Sequence, residues 1–457
     1  MQYEEINDPS TMAHPQVHGV VVLARNGDRT ECPHDPITYK ASSTATTPLG
    51  EVQSHQLGSF LRETYINSNS PSHIRGISPD LVDLSEVHVR VKVGSEGAAV
   101  FDSATAVLQG LYPPTSKNRI TLANETTVVA PLGGYQYVPV ETVEPVNDRS
   151  LESWTNCPAF QKHVENILKS DKIRDAEKKA QPFFNTLKDF VFGRPLNMEN
   201  IYNVYDYVSS ELVHNKTYAH RLPPTFLEQT RGLANLRENA IFGDDRIGGI
   251  GNIASRTALS SVLKALQRIA FNDDPLQFML IETTYQPFIS FFHQTDVVKK
   301  HPELAAIPDF GSALAIELRR APPPDAREFL RFRFRNGTHS PFETIHVFNH
   351  HEDIPLTEFI YRLENSVVHS NREWAQACQS NSVNSWFGVE GADANSRVTD
   401  AVIGMSAILA LMLFAWVGSN VVKRFRRRSY VRLQGDEMIN ASHHVVHYGT
   451  QGEKSRA

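Results

Sequence analysis

Two short apolar runs, residues 17–24 and 278–281, each end abruptly in a polar loop, and a long block of helical periodicity lies between them. The first run is mostly aliphatic and bounded by turn chemistry, the pattern of a strand buried on both faces. Thr47-Pro48 then suits a helix N-cap and first helical position. Leu49, Val52, Leu57, Phe60 and Leu61 fall largely on one face through Tyr65. Residues 87–93 (VHVRVKV) alternate strictly, which predicts a strand with one wet face. A helix over 103–111 stops at Pro113-Pro114. From 156 to 257 amphipathic helical stretches dominate, and the charged run 169–179 reads as a solvated helix face, not a binding patch. Strand signals return at 278–281, 313–318 and 330–335. In the last of these, apolar residues alternate with Arg331, Arg333 and Arg335, which are expected to face solvent on an outer strand.

The pattern predicts an α/β protein in which residues before and after a helical insertion build one sheet, with the insertion capping the strand ends. Ligands of open parallel sheets bind just beyond the carboxyl ends of the strands, which is where both polar loops fall. With 457 residues, 40% of them hydrophobic and 21% charged, the chain has ample length for a full core. The net charge of -6 gives no basic footprint for nucleic acid. Three cysteines, Cys32, Cys157 and Cys378, are too few for a disulfide scaffold and lack the spacing of a zinc site. His346, His350 and His351 with Glu352 match no metal-binding spacing either, so no metal or other cofactor is expected.

Residues 401–422 (AVIGMSAILALMLFAWVGSNVV) contain no ionisable group and are long enough to cross a hydrocarbon core of about 30 Å as a helix. Lys423-Arg424-Phe425-Arg426-Arg427-Arg428 follows at once, which places the C-terminus in the cytoplasm and the N-terminal domain on the extracellular or luminal side of a single-pass protein. Three sequons, Asn124, Asn215 and Asn336, lie in that domain and are glycosylation candidates; Asn440 falls on the cytoplasmic side and should be unused. Residues 381–400 read as a linker, and 423–457 as a basic stretch and flexible tail. The first residues show no basic start and no apolar run, so an export leader is expected upstream of this start. The alternative, insertion through the C-terminal helix with a cytosolic domain, stays open.

Taken alone, Arg25-Asn26-Gly27-Asp28-Arg29 has a plain explanation, because Asn-Gly is the strongest two-residue hairpin signal. Its company changes the reading. Pro48-Leu49-Gly50, Gln53, Leu57-Gly58, Leu61-Arg62 and Tyr65 follow it at set spacing, with Asn156-Cys157-Pro158-Ala159-Phe160 and Phe332-Arg333-Phe334-Arg335-Asn336-Gly337-Thr338 further on. In order and spacing these segments, spanning residues 17–378, resemble the histidine acid phosphatase family, branch 2 of the histidine phosphatases. That family's signatures are Arg-His-Gly-x-Arg after the first strand and His-Asp after a late one. The resemblance implies a phosphoglycerate mutase-like three-layer α/β core (15–155 and 258–380) with a mostly helical cap insertion (156–257). It also implies a disulfide between Cys157 and Cys378, leaving Cys32 unpaired.

In active members of the family the histidine attacks phosphorus, three arginines and the late histidine hold the phosphoryl oxygens, and the aspartate protonates the leaving alcohol. Carried over by position, Arg25 and Arg29 remain as phosphate-binding candidates. Asn26 stands at the nucleophile position, and Tyr285-Gln286 stand at the late His-Asp pair. The third arginine aligns with Glu96 or Ala99, depending on the anchor chosen, and Arg90 matches an upstream arginine of some members. The resemblance thus implies a degenerate, membrane-anchored member with no catalytic residue intact and a partial pocket for phosphate or phosphorylated small molecules. Two alternatives stand beside it: an active phosphomonoesterase with a displaced nucleophile, Cys32 or His34-Asp35, and a structural cell-surface interaction protein whose pocket is filled by side chains such as Tyr285. The sequence names no protein partner.

Overall fold

The first apolar run forms β1 (Gln16–Arg25), in which Val20, Val21 and Val22 are fully buried. It is followed by α1 (Pro48–Leu61), β2 (Val87–Lys92), α2 (Ala98–Leu111), a hairpin of β3 (Arg119–Thr121) and β4 (Thr127–Val129), the single turn α3 (Pro131–Gly134) and β5 (Glu141–Val143). Helices alone make up the next stretch: α4 (Pro158–Leu168), α5 (Asp171–Leu187), α6 (Ile201–His214), α7 (Lys216–Arg221), α8 (Phe226–Ile241) and α9 (Ile253–Phe271). The chain then returns with β6 (Phe278–Thr283), α10 (Gln286–Gln294), α11 (Val297–Lys300), β7 (Ala313–Arg320), β8 (Glu328–Arg335), β9 (Glu343–Ile345), β10 (Ile354–Pro355), α12 (Leu356–Leu363) and α13 (Asn371–Ala377). The structure, a computed structural model, describes residues 15–380 except 95, 97, 272–273 and 322–326. The apolar segment 401–422, the linker and the tail lie outside the described residues, among which no helix is long and apolar enough to cross a membrane.

The main sheet has the order β10-β8-β7-β1-β6-β2-β5, with β9 paired to β8. β6 is inserted in parallel between β1 and β2, and β5 extends the parallel part, while β7 and β8 run antiparallel on the other flank. Strands from the two ends of the chain therefore lie side by side. Ala24 is in register with Glu282 and Arg25 with Thr283, so both polar loops leave the same edge of the sheet.

Alternation along β1 explains why the run is apolar throughout. Val20, Val22 and Ala24 pack with Leu57 and Leu61 of α1 and Val107 of α2, whereas Val21 and Leu23 face Leu259 and Val262 of α9 and Phe288 of α10. Each such aliphatic side chain contributes about 1.5–3 kcal/mol on burial, and a strand covered on both faces needs this at every position. Thr47 caps α1, its Oγ1 accepting from Gly50 N at 3.2 Å, with Pro48 in the first turn.

Two expectations about charged strand residues are corrected. Arg331, Arg333 and Arg335 do not lie on an outer, solvated strand: β8 has neighbours on both sides. Arg331 pairs with Asp353 at 2.8 Å and Arg333 with the fully buried Glu317 at 3.1 Å, while Arg335 is buried and donates to the backbone oxygens of Thr338 and Ser340. The face of β2 expected to be wet is also largely covered. Lys92 is buried at 2% exposure because it pairs with Glu96 at 2.6 Å and Glu152 at 2.9 Å. Pairing, not solvent, satisfies these charges, and alternation alone does not distinguish the two.

Candidate functional site

β1 delivers Arg25 at its last position and Asn26 just beyond it. The backbone there is fixed by β6 and the turn leading into β7: Arg25 N donates to Ser312 O at 2.8 Å, Asn26 N to Thr283 O at 3.1 Å, and Gly311 N to Asn26 O at 3.1 Å. The loop then runs against the start of α1. A methyl group on Gly27 would collide with the Gly50 carbonyl, and one on Gly50 with the Asp28 carbonyl, so both positions need glycine for close approach. Gly27 N donates to Ser103 Oγ at 3.1 Å, and Asp28 N to Gln53 Oε1 at 2.8 Å. Asn26-Gly27 is thus no hairpin turn: β1 pairs with β6 and β7, not with the chain that follows it.

Beside this loop lies a cavity of about 360 Å³ lined by Arg25, Arg29 and Arg231 together with Asp28, Asp206 and Asp309. Its charges are mostly paired internally. Arg29 meets the Asp206 carboxylate at 3.0 and 3.1 Å, and Tyr202 Oη lies 3.4 Å from it. Burial by itself would lower the Arg29 pKa, but Asp206 and Tyr202 more than offset this and hold it well above its ordinary value. Arg231 pairs with Asp309 at 2.5 Å, and His214 with Asp28 at 2.8 Å. Arg25 has no carboxylate partner among the described residues. Its Nη1 donates to the Pro308 carbonyl, its Cζ sits 4.2 Å from the Phe310 ring centroid and 5.6 Å from that of Tyr285, and burial lowers its pKa.

Asn26 is buried at 2% exposure, and its Nδ2 donates to Gly27 O at 2.8 Å. An amide nitrogen has its lone pair delocalised into the carbonyl and offers none for attack on phosphorus. Tyr285 does not line the cavity: it stacks on Tyr202 with centroids 5.1 Å apart, and its hydroxyl donates to Glu238 Oε2 at 2.8 Å. Glu238 in turn is bonded to Arg237 and Tyr39, forming a fully buried polar cluster. Gln286 opens α10; its Oε1 accepts from Thr284 Oγ1, and it carries no titratable proton.

Neither displaced-nucleophile candidate reaches the cavity. Cys32 is buried, donates its thiol to Ser42 O at 3.2 Å, and has its pKa pushed up to about 12 by burial, so the reactive thiolate is absent near neutral pH. His34 is clamped between the rings of Tyr39 and Tyr202, both 4.6 Å away, and burial keeps it neutral with a pKa well below the usual imidazole range. Asp35 closes a local turn by accepting from Ile37 N and Thr38 N. Glu96 is occupied by Lys92, and Ala99 is buried in α2. His350 bonds Glu358 at 3.0 Å, and no group of ligands suited to a metal occurs among the described residues. Cys157 and Cys378 form a disulfide, and Cys32 is the free thiol. Asn124, Asn215 and Asn336 are all exposed, and Asn336 lines the cavity, with its Oδ1 accepting from Asp309 N and Ser312 Oγ.

Sequence reasoning missed Asp206, Tyr202, Arg231, Phe310 and Glu238. A signal was present for Asp206 and Glu238: each is an acid set among apolar residues on a helix, between Val204 and Val208 in α6 and between Ala234 and Ile241 in α8. A charge on the packed face of a helix calls for a partner.

A mixed sheet with helices on both faces, and an arginine-bearing loop at the carboxyl end of a parallel strand, define an α/β protein of the open-sheet class. The chain belongs to the histidine phosphatase superfamily, branch 2, whose family model matches residues 14–245, and within it to the histidine acid phosphatases. Lysosomal acid phosphatase of Homo sapiens is 24% identical over 410 residues, covering 87% of this chain and 87% of that protein. The Bos taurus lysosomal acid phosphatase is 23% identical over 406 residues, 86% of this chain and 85% of its relative. Prostatic acid phosphatase of Bos taurus reaches 30% identity over 213 residues, 43% of this chain and 48% of that one. Among solved structures, the phytase of Citrobacter braakii superposes with a TM-score of 0.53 at 12% identity, over 79% of this chain and 99% of that one, a likeness of fold.

Proposed function

We propose that this chain is a membrane-anchored histidine acid phosphatase relative that has lost phosphoryl transfer and keeps a partial anion pocket around Arg25. The observation that carries the reading is Asn26 at the end of β1, where the family's nucleophile stands, beside an Arg29 already held by Asp206. A general acid is worth about 10²–10⁴-fold and a preorganised charge-stabilising donor about 10²–10³-fold. Gln286 supplies no acid, and Glu96 or Ala99 supplies no third guanidinium. With the nucleophile missing as well, none of these family positions retains the group the family's route uses.

Residues 15–155 and 258–380 serve as the core and 156–257 as the cap, with 401–422 as the anchor and 423–457 on the cytoplasmic side. The similarity to lysosomal acid phosphatases, the exposed sequons Asn124, Asn215 and Asn336, and the basic cluster after residue 422 support a luminal or extracellular domain. Titration calorimetry with inorganic phosphate and a sugar phosphate tests the pocket. One weak phosphate site that Arg25→Ala removes is the expected result. Affinity unchanged in that variant removes the pocket from the proposal and leaves an interaction role for the fold.

A further inference from the structure

A second cavity, of about 440 Å³, lies elsewhere on the sheet and shares no lining residue with the one beside Arg25. His88 and Arg90 of β2 and Met279 of β6 line it from the sheet, α9 contributes a row of hydroxyls and cations, and residues 147–150 and 368–374 complete it. Its volume is in the range of small-molecule sites, about 300–1,000 Å³.

The charges of this cavity are unbalanced, unlike those of the first. Four permanent cations, Arg90, Arg149, Lys264 and Arg268, line it against two carboxylates, Glu141 and Asp148. Both carboxylates are taken by Arg90, at 3.0 and 2.7 Å, and Glu141 also by His88 at 2.8 Å. Arg268 is taken by Asp274 at 2.7 Å. Arg149 and Lys264 are left with no carboxylate partner among the described residues. In a chain of net charge -6 this local surplus is not a property of the whole surface.

Arg149 is the more telling of the two. Its guanidinium lies 4.4 Å from the Trp374 ring centroid, and its side chain's one long hydrogen bond, 3.4 Å, goes to Thr155 O. Burial lowers its pKa, and the nearby Glu152 offsets this only in part. Trp374 is held in place by its own Nε1, which donates to Ser153 O at 2.8 Å, and its ring also lines the cavity. Ser150 Oγ, on another lining residue, is a buried hydroxyl beside the Asp148 carboxylate. A partly desolvated guanidinium and an ammonium without an ion pair around one space call for an acceptor-rich anion.

We propose that this cavity binds a small organic ester of a tetrahedral oxyanion, phosphate or sulfate, with the anion between Arg149 and Lys264 and the carbon portion against Trp374. The site stands independently of the reading given to the Arg25 pocket.

Calorimetric titration of the intact protein with phenylphosphonate, which cannot be hydrolysed, tests it, with inorganic phosphate and inorganic sulfate as separate arms. Phenylphosphonate should bind more tightly than inorganic phosphate, and Lys264→Gln, an exposed position, should weaken it about tenfold or more without altering the melting temperature. Arg149→Gln should weaken it similarly, and Arg25→Ala should leave it unchanged. Binding of phosphate and sulfate alike assigns recognition to tetrahedral shape and charge; binding of phosphate alone assigns it to the P–OH donor that hydrogen phosphate carries and sulfate lacks. No binding at 10 mM in any arm, on the order of the weakest interactions of biological use, overturns the proposal. So does an Arg25→Ala variant that binds phenylphosphonate nowhere, since the second site should persist in it.

Discussion

Arg29 presents both terminal guanidinium nitrogens to the carboxylate of Asp206, at 3.0 and 3.1 Å, with both side chains buried. In this arrangement a carboxylate from α6 occupies the hydrogen-bonding fork that a phosphoryl group would otherwise engage. Asp206 also accepts from Cys32 N at 2.8 Å, so it holds the far end of the loop as well.

Asp206→Asn should separate these two roles. Removing one partner of a buried pair costs about 3–5 kcal/mol, and the amide, which still accepts hydrogen bonds, should keep the loss near the lower end. The melting temperature should fall while affinity for inorganic phosphate at the Arg25 cavity rises about tenfold. Differential scanning calorimetry with and without phosphate reads both. A fall in stability with unchanged affinity would show that Asp206 braces the loop without competing for the anion.

Asn26→His should not restore turnover by itself. The variant regains a nucleophile, but Gln286 still has no proton for the leaving group, a deficit of about 10²–10⁴-fold. Phosphate release from glycerol 2-phosphate, whose alkoxide must be protonated to leave, should stay at background for Asn26→His and rise only when Gln286→Asp is added. Activity in the single variant would mean that another acid serves the site.

Glu282 sets a pH dependence. It is fully buried on β6 with both oxygens unpartnered, and burial raises its pKa well above 4.5. The folded state therefore keeps a proton that the unfolded chain releases above about pH 4.5, so this group's contribution is favourable at acid pH and is lost as pH rises through the folded pKa. The slope from one such proton is at most about 1.4 kcal/mol per pH unit. Melting temperatures between pH 4.5 and 8 should decline less steeply for Glu282→Gln than for the unmodified protein. Parallel profiles would mean that Glu282 is not held protonated.

The disulfide between Cys157 and Cys378 joins the start of α4 to the end of α13. Its removal by Cys378→Ser should cost about 2–5 kcal/mol. Alkylation followed by mass spectrometry should find Cys32 slow to react in the native protein and the sole thiol modified on unfolding without reductant. Rapid native labelling of Cys32 would contradict both its burial and its raised pKa of about 12.

Much of the fold was legible because its signals are local. The all-apolar β1 run, the Thr47-Pro48 cap, and the loss of strand patterning between β5 and β6 each follow from periodicity or turn chemistry over a few residues. The ends of the site were legible for the same reason: Arg25 ends β1, Asn26 follows it, and Tyr285-Gln286 lie just past β6. What the sequence hid depends on distant partners. Arg333 reads as a solvent-facing residue until Glu317 is placed beside it, and Lys92 reads as the wet side of a strand until Glu152 closes over it. Asp206 lies far along the chain from Arg29, and no periodicity brings an α6 side chain to a β1 loop. The second cavity was hidden for a related reason, since its surplus charge emerges only once Asp148 and Asp274 are seen to be taken by other arginines.

Phosphate release from a generic aryl phosphate, followed from acid to neutral pH with the Arg25→Ala variant as control, decides whether this fold still performs chemistry. A pocket with an amide at the nucleophile position, glutamine at the family's acid position, and Arg29 bound to Asp206 predicts no release above the control at any pH. Turnover in the unmodified protein that Arg25→Ala abolishes would contradict the loss of catalysis.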